Sequence, residues 1–457
     1  VPAANKNVIV IGGGISGLSA AYDLTRAGVD CTILEKQLRV GGVIETRIAD
    51  ECTLECGPDS FLSAKPDALA LIKELGLEAG VIGSNDHQRT TYIRKRGRLI
   101  ALPEGVMMIV PSRVWPMVKS PLLSWPTKIR MGLEYFRKPG VSQDRSVAEF
   151  VIDHFGRETL DYLAEPLLSG VYGGDPAKLS VGSVLPRFLQ MEAKYGSLVR
   201  GVLEARGKRG PGGPLFQTLK TGLGTLVETL AARVNVRQLE VETIERREQG
   251  FRVRAGGDWI SADQVVVACP AWSASRLVSG LDGKLAELLG GIEYSSSLTL
   301  SLIYRAADFD GFRAGFGFLV PKKERERLAA CTFVGTKFSY RVPEDRIVLR
   351  CFFGGVGDAG ILEESDDSLV TIAREELRRM LGLTAAPASY VIARWPRSMA
   401  QYTVGHSRRL EEIRAHAAGI PGLHLAGNAY EGIGIPDCIR TGRAAAKNIL
   451  ATASVSA

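Results

Sequence analysis

"NVIVIGGGISGLSAAYDLTRAGVDCTILEK", residues 7–36, decides the fold. Val8 to Ile11 is an unbroken apolar run, the texture of a parallel strand covered on both faces. Gly12, Gly14 and Gly17 follow in a G-x-G-x-x-G spacing, then a helical stretch, then a second apolar strand. Strand, glycine turn, helix and strand in about thirty residues make a βαβ unit. The first glycine permits the tight turn, the second lets backbone approach a pyrophosphate, and the third lets helix pack closely on strand. The helix N-terminus offers free N–H groups and partial positive charge to phosphates, so Gly12, Gly13, Gly14, Ile15, Ser16 and Gly17 are candidates for binding a dinucleotide. Glu35, 18 residues after Gly17, closes the second strand where a carboxylate accepts from ribose hydroxyls and disfavours a 2′-phosphate, with Lys36 beside it.

Working outward, Arg39, Gly41, Gly42 and Thr46 stand in the order R-x-G-G-x-x-x-T, with Val43 in the same loop. This resembles the doublet-glycine motif of flavoproteins with two dinucleotide domains, which implies FAD rather than NAD. Later segments complete the domain. Phe216 to Val234 has an amphipathic pattern that predicts a helix, and Val265 to Val267 predicts another buried strand. Near the end, "GLHLAGNAYEGIGIPDCIRTG" (422–442) predicts a strand at Leu423–Ala426, a glycine loop, and a helix from about Asp437 to Leu450. Pro436 and Asp437 suit a helix start, with Asp437 capping free N–H groups. Gly432 and Gly434 would bring backbone N–H groups to the pyrimidine end of a flavin, with Gly427, Ile433 and Ile435 in the same loop.

At 457 residues the chain exceeds the size at which one core stops growing, so two or three domains are expected. Apolar residues at 45% and charged residues at 23% predict a chain folded throughout. No apolar stretch is long enough to span a bilayer and no export signal is visible, while seven scattered cysteines without a C-x-x-C pair suggest a reduced, cytoplasmic compartment. They point to no metal site. The net charge of +7 lies partly in clusters such as "RKRGR" (94–98) and "KKERER" (322–327). No zinc finger or aromatic-basic pattern supports nucleic acid as a partner.

Four segments carry a closer resemblance: "GPDSFL" (57–62), "SGVYGGDPAKLSVGSVLP" (169–186), "RWPRSMAQYTVGH" (394–406) and "AGNAYEGIGIPDCIRTG" (426–442). They are similar to the protoporphyrinogen oxidases, FAD enzymes related to monoamine oxidases and phytoene desaturases. The resemblance implies an α/β fold with a discontinuous Rossmann-like FAD-binding domain (1–85, 214–272 and 405–457), an α+β substrate domain (86–105 and 273–404) and a mainly helical insert (106–213). It adds Gly57, Pro58, Asp59, Ser60, Val241 and Trp395 to the cofactor contacts. FAD would be noncovalent, with Cys438 untethered. For the substrate it implies Arg89 or Lys65 on a propionate, Gly170 facing the macrocycle and Phe316 stacking on a pyrrole.

The implied activity is six-electron oxidation of protoporphyrinogen IX to protoporphyrin IX, with oxygen or another electron acceptor reoxidising FAD. Hydride would pass to flavin N5, and no side chain is assigned a catalytic role. The alternatives are coproporphyrinogen III as substrate and, further off, a flavin amine oxidase or a carotenoid desaturase. Trp115, Trp125, Met107, Met108, Met117, Lys119, Lys128 and Arg130 mix in 106–140 as expected either of a helical surface lying in a bilayer interface or of a buried insert. The first of these would put the chain peripherally on the inner face of the cytoplasmic membrane. A homodimer is a further option.

Overall fold

The computed structural model describes residues 7–140, 143–206, 213–309 and 313–455. Strand β1 (Asn7–Ile11) pairs in parallel with β2 (Asp30–Glu35) on one side and β4 (Gln264–Val267) on the other. Strand β3 (Asn235–Gln238) lies outside β2, and β5 (Leu423–Leu425) lies outside β4, giving the parallel order β3-β2-β1-β4-β5. Val8, Val10, Ile33 and Val265 to Val267 are fully buried, as strands covered on both faces require. Helix α1 (Ile15–Arg26) packs against α2 (Ile435–Val455). Their backbones meet so closely that a Cβ on Gly442 would lie 2.1 Å from the Ser16 carbonyl oxygen. The last helix of the chain is thereby seated on the first.

A second, seven-stranded sheet runs in the order 389–400, 294–305, 346–354, 330–333, 317–319, 91–95, 98–101. It is antiparallel except where 317–319 meets 91–95. Outside these two sheets a pair of charges is buried together. Glu55 and Arg341 meet at 2.9 Å with both side chains 1% exposed, and Arg341 also donates to Thr218 Oγ1 and the Leu219 carbonyl. Burial raises the Glu55 pKa, and the nearby Arg341 opposes that rise.

The third region is helical, including 114–119, 125–133, 147–155, 165–172, 186–195 and 198–206. Its helices are tied by a buried charge network. His154 lies 2.8 Å from Glu134 and 3.0 Å from Glu192, and Glu134 also accepts from the Leu198 and Val199 N–H groups and Ser197 Oγ, closing the start of helix 198–206. Val114, Trp115, Trp125, Ile129, Leu133 and Phe136 stand 60–73% exposed, whereas Met117 and Met131 face inward. No helix among the described residues is long and apolar enough to cross a membrane. The insert therefore shows an exposed apolar face over a buried core.

The fold is the expected interrupted α/β class, with two local differences. Phe216–Leu219 is a strand, antiparallel to both Val81–Gly83 and Phe61–Leu62, and the helix begins only at Gly224. Its two partner strands satisfy backbone groups that a helix would otherwise pair internally. Helix α2 begins two residues before Asp437, whose carboxylate is committed to Lys65 rather than to a capping bond. Gly170 lies inside the helix Glu165–Tyr172.

Candidate functional site

The N-terminal loop is shaped by close approach. Gly12 sits at φ +107°, and a Cβ there would be 2.9 Å from the Ala268 carbonyl oxygen. A Cβ on Gly17 would lie 2.0 Å from the Gly12 carbonyl oxygen, so only glycine lets α1 pack on β1. Gly14 differs. A Cβ on it meets nothing within 4 Å, and α1 has no side-chain cap at that end. Open space thus lies beside uncapped helix N–H groups, which is where a phosphate belongs.

Glu35 holds the loop from the neighbouring strand, its Oε2 accepting the Gly13 N–H at 2.6 Å and its Oε1 the Gln37 N–H at 2.8 Å. A carboxylate has about four acceptor positions, so capacity remains for ribose hydroxyls. Lys36 lies over the Trp272 ring at 5.8 Å. Gly41 donates to the Gly13 carbonyl at 2.7 Å, which places the doublet-glycine loop directly against the first. Arg39 reaches the Val40, Ile44 and Gly42 carbonyls at 2.9, 2.7 and 2.6 Å and so shapes this loop from within; Val43 is exposed.

A Cβ on Gly57 would lie 1.7 Å from the Val43 carbonyl oxygen, so the 57–60 segment abuts the same loop. Within it, Pro58 is half-buried, and Ser60 donates to Asp59 at 2.6 Å. Asp59 pairs with Lys337 at 2.7 Å and lies 3.8 Å from Arg350. Burial alone would raise its pKa, but these two cations outweigh burial and hold it well below the usual carboxylate range. Trp395 Nε1 donates to the Cys56 carbonyl at 2.8 Å, tying the large sheet to this segment. Val241 opens the strand Val241–Arg246 and is half-buried.

The C-terminal loop, 427–434, ends where α2 begins. Gly427 is at φ +131° and donates to Thr441 at 3.2 Å; Gly432 is at φ +114°, with its N–H donated to Tyr402 Oη at 2.9 Å. That bond commits the Gly432 N–H within the protein, unlike the N–H groups of Ile433 and Gly434 that follow it. Among the described residues, those two N–H groups donate to no protein acceptor. Ile435 is buried in the helix.

Three of the substrate candidates are linked through one segment, 316–319. Thr90, next to Arg89, accepts the Phe316 N–H at 2.8 Å, and Gly170 faces Leu319, three residues further along the Phe316 segment. Arg89 is exposed and Phe316 is 8% exposed. Lys65 lies 2.5 Å from Asp437 at the start of α2. Tyr402, His406, Glu55 and Arg341 were not foreseen. They are ordinary polar residues in the sequence, and only tertiary contact makes two buried pairs of them, Tyr402 with His406 and Glu55 with Arg341.

One cluster among the described residues has metal-like spacing, Asp153, His154 and Glu192, with candidate ligand atoms within 4.8 Å of one another. Arg145 pairs with both carboxylates, at 3.2 and 2.6 Å, which marks a charge network.

The profile of the flavin containing amine oxidoreductases matches residues 15–450. The chain belongs to that family. Within it, the chain is 33% identical to coproporphyrinogen III oxidase of Bacillus subtilis, over 97% of this chain and 98% of that protein. It is 26% identical to the chloroplastic protoporphyrinogen oxidase of Nicotiana tabacum, over 96% and 84%. A crystal structure from Exiguobacterium sp. 255-15, provisionally named a protoporphyrinogen oxidase, superposes with a TM-score of 0.88 at 30% identity, covering 98% of this chain and 99% of that one. By family the chain is a flavin-dependent oxidoreductase, and the open space beside Gly14 at the uncapped N-terminus of α1 fits a cofactor's phosphates.

Proposed function

We propose that this flavin enzyme is an FAD-dependent porphyrinogen oxidase whose substrate is coproporphyrinogen III. The carrying observation is end-to-end similarity, at 33% identity, to a protein of that name; the relatives from Staphylococcus aureus and Propionibacterium freudenreichii share the name at 31% and 30%. Three two-electron oxidations convert the porphyrinogen to the porphyrin while three oxygen molecules become three hydrogen peroxide. Bound FAD would supply the two-electron acceptor that no side chain can.

The chain's own residues would bind and orient. Gly12 to Gly17, Arg39, Gly41, Gly42 and Val43 would line the pyrophosphate end, with Glu35 and Lys36 at the ribose. Gly57 to Ser60, Val241, Trp395, Gly427, Ile433, Gly434 and Ile435 would complete the cofactor contacts. The FAD would be noncovalent, since Cys438 is buried in α2 and burial pushes its thiol up to about 12, away from the thiolate form. Arg89 is our assignment for a propionate, because a planar guanidinium binds a carboxylate bidentately. Phe316 and Gly170 would flank the ring. Lys65, already paired with Asp437, is assigned to the loop instead of the substrate.

The division into cofactor domain (1–85, 214–272, 405–457), substrate domain (86–105, 273–404) and helical insert (106–213) is part of this proposal. So is a peripheral position on the inner face of the cytoplasmic membrane, supported by exposed Trp115, Trp125, Ile129 and Phe136. Protoporphyrinogen IX is the second reading, favoured by the tobacco relative. Side-by-side turnover of both porphyrinogens by FAD-loaded protein decides. Coproporphyrinogen III should show the higher kcat/KM by at least about tenfold, and the reverse order would overturn the substrate assignment.

A further inference from the structure

The loop preceding α2 is gripped by two side chains from outside it. Tyr402 Oη donates to the Asn428 carbonyl at 2.7 Å and accepts the Gly432 N–H at 2.9 Å. His406 lies flat on the Tyr402 ring, with centroids 4.1 Å apart and planes 12° from parallel. Its Nε2 is 3.3 Å from the Tyr430 carbonyl, which can only accept, so that nitrogen carries the proton. Two stacked rings therefore hold the backbone at residues 428, 430 and 432 in turn. Both are buried, Tyr402 at 2% and His406 at 1% exposure. The Tyr402 carbonyl accepts the Ser180 N–H at 2.8 Å, and its ring lies 6.5 Å from that of Tyr172, so the grip is anchored in the helical region.

The loop needs such a hold. Gly427, Gly432 and Gly434 give it more backbone freedom than any other residue type would. The Ile433 and Gly434 N–H groups, without protein acceptors among the described residues, follow directly after the gripped Gly432. Once Gly432 is fixed at φ +114°, the start of α2 at Ile435 leaves them little choice of direction.

We infer that Tyr402, braced by His406, is a positioning residue that presents the Ile433 and Gly434 N–H groups to the flavin. This rests on the flavin reading above. Tyr402 touches no reacting atom; it acts through the loop. Removing its hydroxyl leaves the half-buried Asn428 carbonyl and Gly432 N–H without their shared partner, which frees the loop to shift toward other partners.

Tyr402→Phe tests this, because the ring and its stack on His406 are retained. In flavin-free protein, exchange of the Gly432 amide should accelerate at least about tenfold; unchanged exchange overturns the inference. In the FAD-loaded enzyme the variant should bind FAD about tenfold more weakly, show a shifted visible flavin spectrum, and lose kcat with KM unchanged. His406→Gln, which removes the stacked ring, should move the same readouts in the same direction. Faster exchange with wild-type FAD affinity and spectrum also overturns the inference, because loop order would then not matter to the cofactor. A wild-type protein that takes up no FAD overturns the flavin reading and the inference together, whereas a wild type that binds FAD beside an indifferent Y402F overturns the inference alone.

Discussion

The two glycine loops look alike in sequence, each a strand followed by glycines and a helix, yet they are built in opposite ways. The first is closed mostly by its own βαβ unit: Gly17 fits against the Gly12 carbonyl, and Gly13 donates to Glu35. The second is held from outside, by Tyr402 and His406 on its backbone and by Lys65 on Asp437 at the head of α2. A loop that shapes itself can be recognised within thirty residues of sequence. A loop shaped by distant side chains can be recognised only as a place where glycine is needed.

The sharpest way to break this contrast is at Gly17. Replacing it with alanine sets a Cβ 2.0 Å from the Gly12 carbonyl oxygen, a backbone atom that cannot step aside. The expected cost exceeds about 4 kcal/mol, read as loss of folded protein on expression and in urea unfolding. Second, Arg341→Leu strands Glu55 as an unpaired buried charge and should destabilise by roughly 3–5 kcal/mol. Urea midpoints would check it, and a shift under 1 kcal/mol would mean the buried pair does not hold the fold together.

Third, His406 gives the second loop a pH dependence. Burial lowers its pKa from 6.5 to about 4, so between those values the unfolded chain takes up a proton that the folded chain refuses. Stability is therefore fully present above pH 6.5 and is lost as pH falls toward 4, by at most about 3 kcal/mol. His424, likewise buried and lowered to about 4, contributes over the same window. Urea midpoints from pH 7 to 4 should fall less steeply in His406→Gln than in wild type. Smallest is Lys65→Met. With the Lys65 side chain 44% exposed, its ion pair is worth no more than about 1 kcal/mol, and KM for the porphyrinogen should not change. A raised KM would instead return Lys65 to the substrate.

Much of the fold was legible where physics is local. The β1–α1–β2 unit follows from apolar runs and three glycines, and the strands at 264–267 and 423–425 from short apolar runs before turns. Phe216–Leu219 was not legible, because its spacing continues the pattern of the following helix while its strand partners lie at 61–62 and 81–83. Likewise Gly12 to Glu35 could be named as a site, but Tyr402, Glu55 and Arg341 could not. A buried polar group is defined by its partner, and these partners are remote in sequence. The exposure of Trp115 and Trp125 was equally open until the short helices 114–119 and 125–133 turned Met117 and Met131 inward instead.

Gly14 separates fold from function most cleanly. It has an ordinary φ of −69°, and an added Cβ meets no protein atom within 4 Å. Titrating FAD into Gly14→Ala, with urea unfolding in parallel, should give wild-type stability within about 1 kcal/mol and FAD affinity lowered about 100-fold. A Gly14→Ala protein that folds and takes up FAD like wild type would put the pyrophosphate somewhere other than the N-terminus of α1.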